Sequence, residues 1–133
     1  MVKKLEIQAT GKRKRALARA TLYPGTGIIR VNHKLLSTLK PIIVKDRIME
    51  PLLLSEDDWQ KVDIDVDVRG GGWQGQTDAV RSAIARALVE NNKKLKKTFL
   101  DYDRHLLVWD VRRREQRKPN DSKARAARQK SYR

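Results

Sequence analysis

The sequence predicts an α+β body followed by an extended, basic C-terminal tail. Residues 62–68 alternate strictly between aliphatic and charged side chains, which is typical of a strand with one buried face. Residues 79–88 carry an apolar stripe at helical spacing and predict an amphipathic helix. No core pattern continues beyond Asp110, and ten of the last 23 residues are cations. We therefore expect residues 1–110 to form one globular body and residues 111–133 to form the tail.

Three short strands are expected before the alternating segment. Residues 5–9 alternate between apolar and polar side chains, until a glycine and the basic run 12–15 interrupt the pattern. Residues 16–22 then place their apolar side chains on one face of a second strand. The Pro-Gly-Thr-Gly sequence at 24–27 is a turn signal, so it predicts a hairpin to a third strand over 28–31.

A first helix is expected in the middle of the chain. After a second tight turn at 32–34, Pro41 suits the first position of a helix, because the missing N–H is not needed there. Residues 42–49 supply the apolar face of this helix, and Pro51 is expected to stop or kink it. The Ser-Glu-Asp-Asp segment that follows is expected to cap a short turn that buries Trp59.

The principal helix is expected to begin with a cap at Thr77 or Asp78 and to end at the Asn-Asn pair 91–92. A second, basic helix is expected over 93–102, and a short final strand over 106–109. The body should bury the apolar faces of the strands together with the stripe of the principal helix. The predicted core contains Leu5, Ile7, Val62, Ile64, Val66, Val68, Ala79, Val80, Ala83, Ile84, Ala87 and Leu88.

The positive charge is concentrated at the two ends of the chain. The formal net charge is +15, yet residues 41–110 carry 11 basic and 13 acidic residues. Residues 1–40 carry ten basic residues and one acidic residue, and residues 111–133 carry ten basic and two acidic residues. This distribution indicates a small body that presents basic surfaces to nucleic acid. The tail is rich in arginine, which suits phosphate contacts, and it lacks the large apolar face of a membrane-binding helix.

Composition disfavours several other classes of protein. The chain contains no cysteine, which excludes disulfide scaffolds, thiolate zinc sites and cysteine nucleophiles. No apolar signal-peptide segment follows Met1, and no run approaches 18 apolar residues. We therefore expect a protein that is neither exported nor membrane-spanning. We expect no cofactor, no metal and no small-molecule substrate.

A glycine motif follows the alternating strand. Gly70, Gly72 and Gly75 match the G-x-G-x-x-G pattern of dinucleotide-binding proteins. The preceding strand carries three aspartates, however, and a basic segment rather than a strand follows the helix, so a tight turn with close packing is favoured. A phosphate of an RNA backbone at the start of that helix fits as well. The run 11–15 resembles half of a P-loop only superficially and is better interpreted as a basic patch.

Two further sets of residues could carry chemistry. His33 and His105 are the only histidines and could form an acid–base pair that cleaves RNA, but no orienting carboxylate is evident. The aspartates of 62–68 could bind a metal, but their spacing lays them in a row along one strand face. That row suits solubility better than a metal cage, so we expect neither an enzyme nor a metal protein.

Several spaced motifs along the chain occur together in one known family. Residues 11–20 and 25–32 form a basic opening hairpin, residues 70–88 a glycine turn and helix, and residues 112–133 an arginine-rich ending that closes with Lys-Ser-Tyr-Arg. In this order they resemble the ninth-protein family of the small ribosomal subunit, in its archaeal and eukaryotic branch. The likeness covers nearly the whole chain.

The resemblance implies a fold, a location and partners. The family fold is a two-layer α+β arrangement of a four-stranded sheet with helices on one face, and a left-handed βαβ crossover as in the second domain of ribosomal protein five. The implied role is that of a non-enzymatic, cytoplasmic ribosomal protein that binds small-subunit rRNA in the head, beside other head proteins. Its tail would extend toward P-site tRNA. The alternative is a free-standing basic nucleic-acid-binding protein, regulatory or chromatin-associated, and no membrane partner is expected.

The basic patches and the resemblance together give a set of candidate site residues. The expected tRNA-proximal residues are Lys130, Ser131, Tyr132 and Arg133. The tail is expected to bend at 119–121, where Pro119 stiffens the chain and Asp121 adds a negative charge. The expected rRNA-binding residues are Lys12, Arg13, Lys14, Arg15, Arg19, Gly71, Gly72, Gln76, Arg112, Arg113, Arg114, Arg117, Lys118, Lys123, Arg125 and Arg128.

Overall fold

The computed structural model describes residues 6–120 and 123–125, so Leu5 of the predicted core lies outside the described residues. Short 3-10 helices cover Leu36–Thr38, Asp58–Lys61 and Arg104–Leu106. The remaining elements are five strands and three α-helices. In chain order they are β1 (Ile7–Arg13), β2 (Ala16–Pro24), β3 (Ile29–Val31), β4 (Lys34–Leu35), α1 (Ile42–Leu54), β5 (Val62–Arg69), α2 (Trp73–Asn91) and α3 (Leu95–Tyr102).

The strands form one mixed sheet in the order β1-β2-β5-β3-β4. β2 pairs antiparallel with both β1 and β5, whereas β3 pairs parallel with β5. β4 contributes two residues and pairs only with β3 in the described chain, which makes the sheet five-stranded rather than four-stranded. The α+β class is confirmed, and α1 lies in the connection between the parallel strands β3 and β5.

The predicted hairpin between the second and third strands is wrong. β2 and β3 do not pair with each other, because β5 lies between them. The connecting loop crosses the end of β5 and is held there by Asp63, whose Oδ1 accepts backbone N–H groups from Thr26 (2.8 Å), Gly27 (3.1 Å) and Ile28 (3.0 Å). The turn signal located the change in chain direction correctly but did not specify which strand the chain would join. The second tight turn is confirmed, with Asn32 and His33 at positive φ.

The first strand is longer than predicted. β1 continues through Gly11 and pairs with β2 as far as Arg13, opposite Ala16. Gly11 does not interrupt the strand, because its missing side chain is what lets α2 pack against it. A Cβ at this position would lie 2.1 Å from the backbone oxygen of Ala79. The basic run therefore occupies the last residues of β1 and the turn, rather than a separate loop.

The helices are confirmed, with shifted boundaries. Pro41 is the N-cap of α1 rather than its first residue, and Pro51 lies within the last turn, so the helix ends at Leu54. α2 begins at Trp73, before the predicted caps, and Thr77 lies inside it and donates a hydrogen bond to the Trp73 carbonyl. The end of α2 at Asn91 agrees with the prediction.

Two smaller predictions are wrong. Ser55 donates to the Leu52 carbonyl instead of capping the next turn, and Trp59 is only half-buried. Residues 106–109 form no strand, since the chain there enters a 3-10 turn that Asp103 caps by accepting the N–H of His105. Leu106 still packs into the core, fully buried.

The core lies between the sheet and α2, which is covered on its far side by α1 and α3. β1, β2 and β5 contribute one face each, and α2 packs its stripe against them. All predicted core residues in the described range are buried except Ile7, which is half-buried. Arg81 of α2 is buried beside them and pairs with Glu50 of α1 at 2.5 Å and with Asp103 at 3.2 Å. No described helix has the length and apolar character needed to cross a membrane.

Candidate nucleic-acid interface

The turn between β1 and β2 presents two cations to solvent. Because Arg13 pairs with Ala16, only Lys14 and Arg15 form the turn, and Lys14 adopts a positive φ of 54°. Both side chains are exposed, and neither forms an ion pair with a carboxylate in the described part of the chain. The turn geometry therefore projects two uncompensated charges at one end of the sheet.

The glycine turn after β5 lies directly against this cationic turn. Gly70 and Gly71 have φ values of 78° and 69°, which residues with a side chain rarely adopt. A Cβ on Gly70 would lie 2.7 Å from the carbonyl oxygen of Arg15. Gln76 supports the turn by donating from its side-chain amide to the Gly70 carbonyl at 3.2 Å. The glycines thus allow the start of α2 to approach the cations.

The beginning of the tail is fixed against the same surface by Asp110. Arg13 contacts one Asp110 carboxylate oxygen at 2.6 Å and approaches Asp78 at 3.7 Å. Arg112 donates its backbone N–H to Asp110 at 2.8 Å and its guanidinium at 2.8 to 3.2 Å. These Arg112 hydrogen bonds, together with the nearby Arg13 charge, hold the pKa of Asp110 well below its ordinary value. Asp110 therefore remains ionised and links the strand to the tail.

Together, these three segments form an open groove of about 890 Å³. Its walls are the β1–β2 turn, the glycine turn with the start of α2, and the first residues of the tail. Six of its lining residues are cations, and no carboxylate of the described residues lines it. The lining residues are Arg13, Lys14, Arg15, Gly71, Gly72, Gln74, Gly75, Arg112, Arg113 and Arg114. We call this surface the basic groove.

The basic groove also faces the N-terminus of α2. Gly72 is the N-cap of this 19-residue helix, and no side chain caps it. The first N–H groups of a helix lack intrahelical partners and carry a partial positive charge. Phosphate oxygens satisfy both the free N–H groups and the cations around them. The groove is therefore suited to a phosphate backbone in both its charge and its hydrogen-bond donors.

The structure brings together many, but not all, of the predicted site residues. Lys12 points away from the groove and lies over the ring of Trp109, 5.4 Å from its centroid, while Arg86 lies 5.0 Å from the same ring. Arg19 is exposed on the face of the sheet that points away from α2, and it lies opposite Asp67 of β5. Arg13 lines the groove, but its charge is engaged by Asp110 and Asp78, so it holds the groove together.

The predicted tail residues continue from the basic groove. Arg117 lines a neighbouring cavity with Arg15 and Arg114. Lys118 donates to the Ala124 carbonyl at 3.1 Å. Residues 107–120 contain neither α-helix nor β-strand, and residues 111–120 are exposed.

A contact between distant tail residues turns this segment back on itself. Arg125 donates to Glu115 at 2.5 and 2.8 Å. That pair raises the pKa of Arg125 and lowers the pKa of Glu115. Lys123 is exposed, and Asn120 adopts a positive φ of 69° at the predicted bend after Pro119.

Some predictions fall beyond the described residues. Asp121 of the predicted bend, the rRNA-binding candidate Arg128 and the four tRNA-proximal candidates lie there. Those four are Lys130, Ser131, Tyr132 and Arg133.

The alternative chemistries receive no support from the geometry. α2 is followed by α3 rather than by a strand, so the glycine motif does not open a dinucleotide-binding βαβ unit. Asp63 accepts three loop N–H groups, and Asp65 accepts the Tyr23 hydroxyl at 2.6 Å, so these carboxylates have structural partners. His33 lies in the β3–β4 turn, and His105 lies in the 3-10 turn after α3.

Sequence reasoning missed some residues of the groove. Gln74 and Gly75 line it because α2 begins at Trp73, and an earlier helix start could have been inferred from the glycine turn itself. Asp78 and Asp110 were missed as partners of Arg13. No local signal in the sequence pairs these residues, since the tail must first fold back onto α2.

The fold and the basic groove define a small, basic α+β protein with one surface of concentrated positive charge. The family model described as ribosomal protein S9/S16 matches residues 11–133. The chain belongs to this family.

Archaeal relatives match the chain over nearly its full length. The chain is 47% identical over 131 residues to small ribosomal subunit protein uS9 of Methanococcus maripaludis strain C7, covering 96% of the chain and 98% of that protein. The uS9 protein of Methanococcus vannielii matches with the same identity and coverage. The uS9 protein of Methanothrix thermoacetophila is 43% identical over 129 residues, again covering 96% of the chain and 98% of that protein.

Proposed function

We propose that this protein is a structural, non-enzymatic component of the small ribosomal subunit that binds rRNA through the basic groove. The proposal rests on family membership and on the archaeal relatives, which are named small ribosomal subunit proteins. Its partners are small-subunit rRNA and neighbouring proteins of the subunit head, and its place is the cytoplasmic ribosome. We also propose that the connection from β3 through α1 to β5 is a left-handed crossover, as the family resemblance implies.

The observation that carries RNA binding is the concentration of uncompensated charge in the basic groove. Four of its cations, Lys14, Arg15, Arg113 and Arg114, have no carboxylate partner among the described residues. Adjacent cations repel one another, and binding a phosphate backbone removes that repulsion and releases counterions. The affinity for RNA is therefore set mainly by phosphate contacts and weakens with salt.

Sedimentation tests this assignment against the alternative of a free-standing nucleic-acid-binding protein. The tagged protein should co-migrate with small subunits in a gradient at moderate salt. A variant with Arg15 and Arg114 both changed to Gln should shift toward the light fractions as salt is raised. Wild-type protein that stays in the light fractions at moderate salt would instead favour a regulatory or chromatin-associated role.

The tail has a more specific role in this proposal. Residues 112–118 fix the exit of the chain onto rRNA, and residues 123–133 extend toward the anticodon stem-loop of P-site tRNA. The argument combines the family resemblance with the high arginine content of the tail, whose guanidinium groups suit bidentate phosphate contacts. Arg133 and Ser131 are the tRNA-proximal candidates, with Tyr132 and Lys130 beside them.

Deletion of residues 130–133 tests the role of the tail. The shortened protein should assemble into small subunits at the normal level, because the basic groove is intact. Binding of tRNA to the P site should weaken, as measured by filter binding to purified subunits. Failed assembly with unchanged P-site binding would contradict the assigned role.

A further inference from the structure

We propose that the surface beside Trp73 receives one unpaired base of the bound RNA. This inference rests on the proposed RNA-binding function and deepens it, since it adds a contact with a base to the proposed contacts with phosphates. The observation that supports the inference is the exposed Trp73 at the first position of α2, which lies beside the basic groove.

Trp73 is the most exposed tryptophan in the described chain. Its relative exposure is 54%, whereas Trp59 and Trp109 are both half-buried. Ile43 in the first turn of α1 is exposed by 56%. Single exposed apolar residues are ordinary, but Trp73 and Ile43 line one cavity and form a patch that gains free energy when a partner covers it.

The patch borders a small cavity between α1 and α2, about 150 Å³ in volume. Ile43, Val44 and Trp73 supply its apolar lining. The two charged residues that line it, Arg47 and Asp78, pair with each other at 3.1 Å. The lining is therefore suited to a flat, neutral group with an apolar face and polar edges rather than to an anion. A nucleobase has that character.

The cavity adjoins the basic groove at one shared residue. Gln74 lines both surfaces, so they meet at the first turn of α2. An RNA strand whose phosphates occupy the groove can therefore place one base against the indole of Trp73. Base–aromatic stacking is tolerant of sequence, because every base has a π-face. The adjacent uncompensated cations favour a nucleic acid over an apolar side chain of a protein as the occupant.

Matched oligomers separate base contacts from phosphate contacts. The full-length chain is titrated with a short single-stranded RNA and with an abasic phosphodiester oligomer of equal length at the same salt. Wild-type protein should bind the RNA about five- to tenfold more tightly than the abasic oligomer. W73A should lose most of this preference and keep its affinity for the abasic oligomer, whereas W73F should retain most of it. L53A, which truncates another exposed residue of α1 at 67% exposure, serves as the matched control and should leave both affinities unchanged.

The outcomes separate this inference from the proposed function. Equal binding of both oligomers by wild type, or a preference that survives in W73A, would overturn the base contact and leave phosphate binding intact. The base contact would also be overturned if W73A bound both oligomers like wild type but was poorly incorporated into subunits. A neighbouring protein, rather than a base, would then occupy the patch. If wild type bound neither oligomer at moderate salt, both proposals would fall.

Discussion

The basic groove and the uncovered side of the sheet both carry several arginines, but only on the uncovered side do carboxylates lie beside them. At the basic groove, Lys14, Arg15, Arg113 and Arg114 have no carboxylate partner in the described residues. On the uncovered side of the sheet, which we call the open face, cations lie among carboxylates. Arg30 lies 3.9 Å from Asp65, and Arg19 lies opposite Asp67 in the pairing of β2 with β5. Both surfaces are rich in arginine, yet only one has a large excess of positive charge.

The comparison shows that local compensation, rather than the number of cations, decides which surface carries an excess of positive charge. On the open face, a phosphate would have to compete with Asp65 and Asp67 for the arginines and would be repelled by them. At the groove, binding instead relieves repulsion among cations. The distinction also divides the basic run 12–15. Lys14 and Arg15 project freely, whereas Lys12 packs on Trp109 and Arg13 is engaged by Asp110 and Asp78.

The largest expected effect comes from removing two arginines from the basic groove. R15Q/R114Q should reduce the affinity for single-stranded RNA about tenfold at moderate salt. It should also make the slope of log K against log salt less negative by about 1.5, because two phosphate contacts are lost. Fluorescence anisotropy over a salt series measures both quantities.

The matched control for that experiment is R19Q/R30Q on the open face. It removes the same number of guanidinium groups, but from positions with neighbouring carboxylates. The salt slope should change by less than about 0.5. Equal changes in slope for the two double variants would contradict the distinction between the two surfaces.

A second effect, on stability rather than on RNA affinity, is expected from Arg13, which lies beside the free cations in sequence but stabilises the fold. R13Q leaves Asp110 and Asp78 without their shared partner, and the Arg13 side chain is only 18% exposed. The free energy of unfolding in urea should fall by about 1–2 kcal/mol, below the value for a fully buried pair because solvent screens the site. R15Q should change it by less than about 0.5 kcal/mol. Equal stability of R13Q and R15Q would show that the Asp110 contact does not hold the tail.

The smallest expected effect is on the free energy of unfolding and comes from Asp63. The backbone N–H groups of Ile28, Thr26 and Gly27 hold the pKa of Asp63 below its ordinary value of 3.8. The folded state therefore favours the ionised carboxylate, so this stabilisation is present above pH 3.8 and disappears as the pH falls through the lower folded-state pKa.

Urea unfolding at several pH values measures this effect in D63N. The variant should be about 1 kcal/mol less stable than wild type at neutral pH, and the difference should shrink in acid. D67N is the matched control, because Asp67 accepts no backbone hydrogen bond from the loop in the described structure. A D63N deficit that did not change with pH would contradict the ionic origin of the stabilisation.

Local patterns in the sequence predicted most elements but not their pairing. The alternation of 62–68 follows from burial of one face of β5. The apolar stripe of 79–88 located α2 correctly, although Arg81, Ser82 and Ala85 outside the stripe are buried as well. The partner of β3 was wrong because a turn signal describes only a change of direction. The position of β3 beside β5 depends on Asp63, which lies more than 30 residues away and binds the loop only in the folded chain.

The candidate site was predictable to the extent that it depends on exposed charge. Lys14, Arg15, Arg113 and Arg114 could be chosen from composition and resemblance, and the structure places all four around one groove. The engaged state of Arg13 could not be predicted, because it depends on tertiary contacts with Asp110 and Asp78. The exposed position of Trp73 depends likewise on the early start of α2 at the glycine turn.

The contact between Arg13 and Asp110 also defines a fixed origin for the length of the tail. From Asp110 to Arg133 the chain can span at most about 80 Å, at roughly 3.5 Å per residue. Each residue inserted or deleted beyond Asp110 would change the maximum reach of the tip by one such step. If the attachment point could slide along the tail, an insertion or deletion would leave the reach of the tip unchanged. Because the ion pair forms at one defined residue, the reach changes with tail length. The number of residues after Asp110 therefore sets the maximum reach of the tail from this contact.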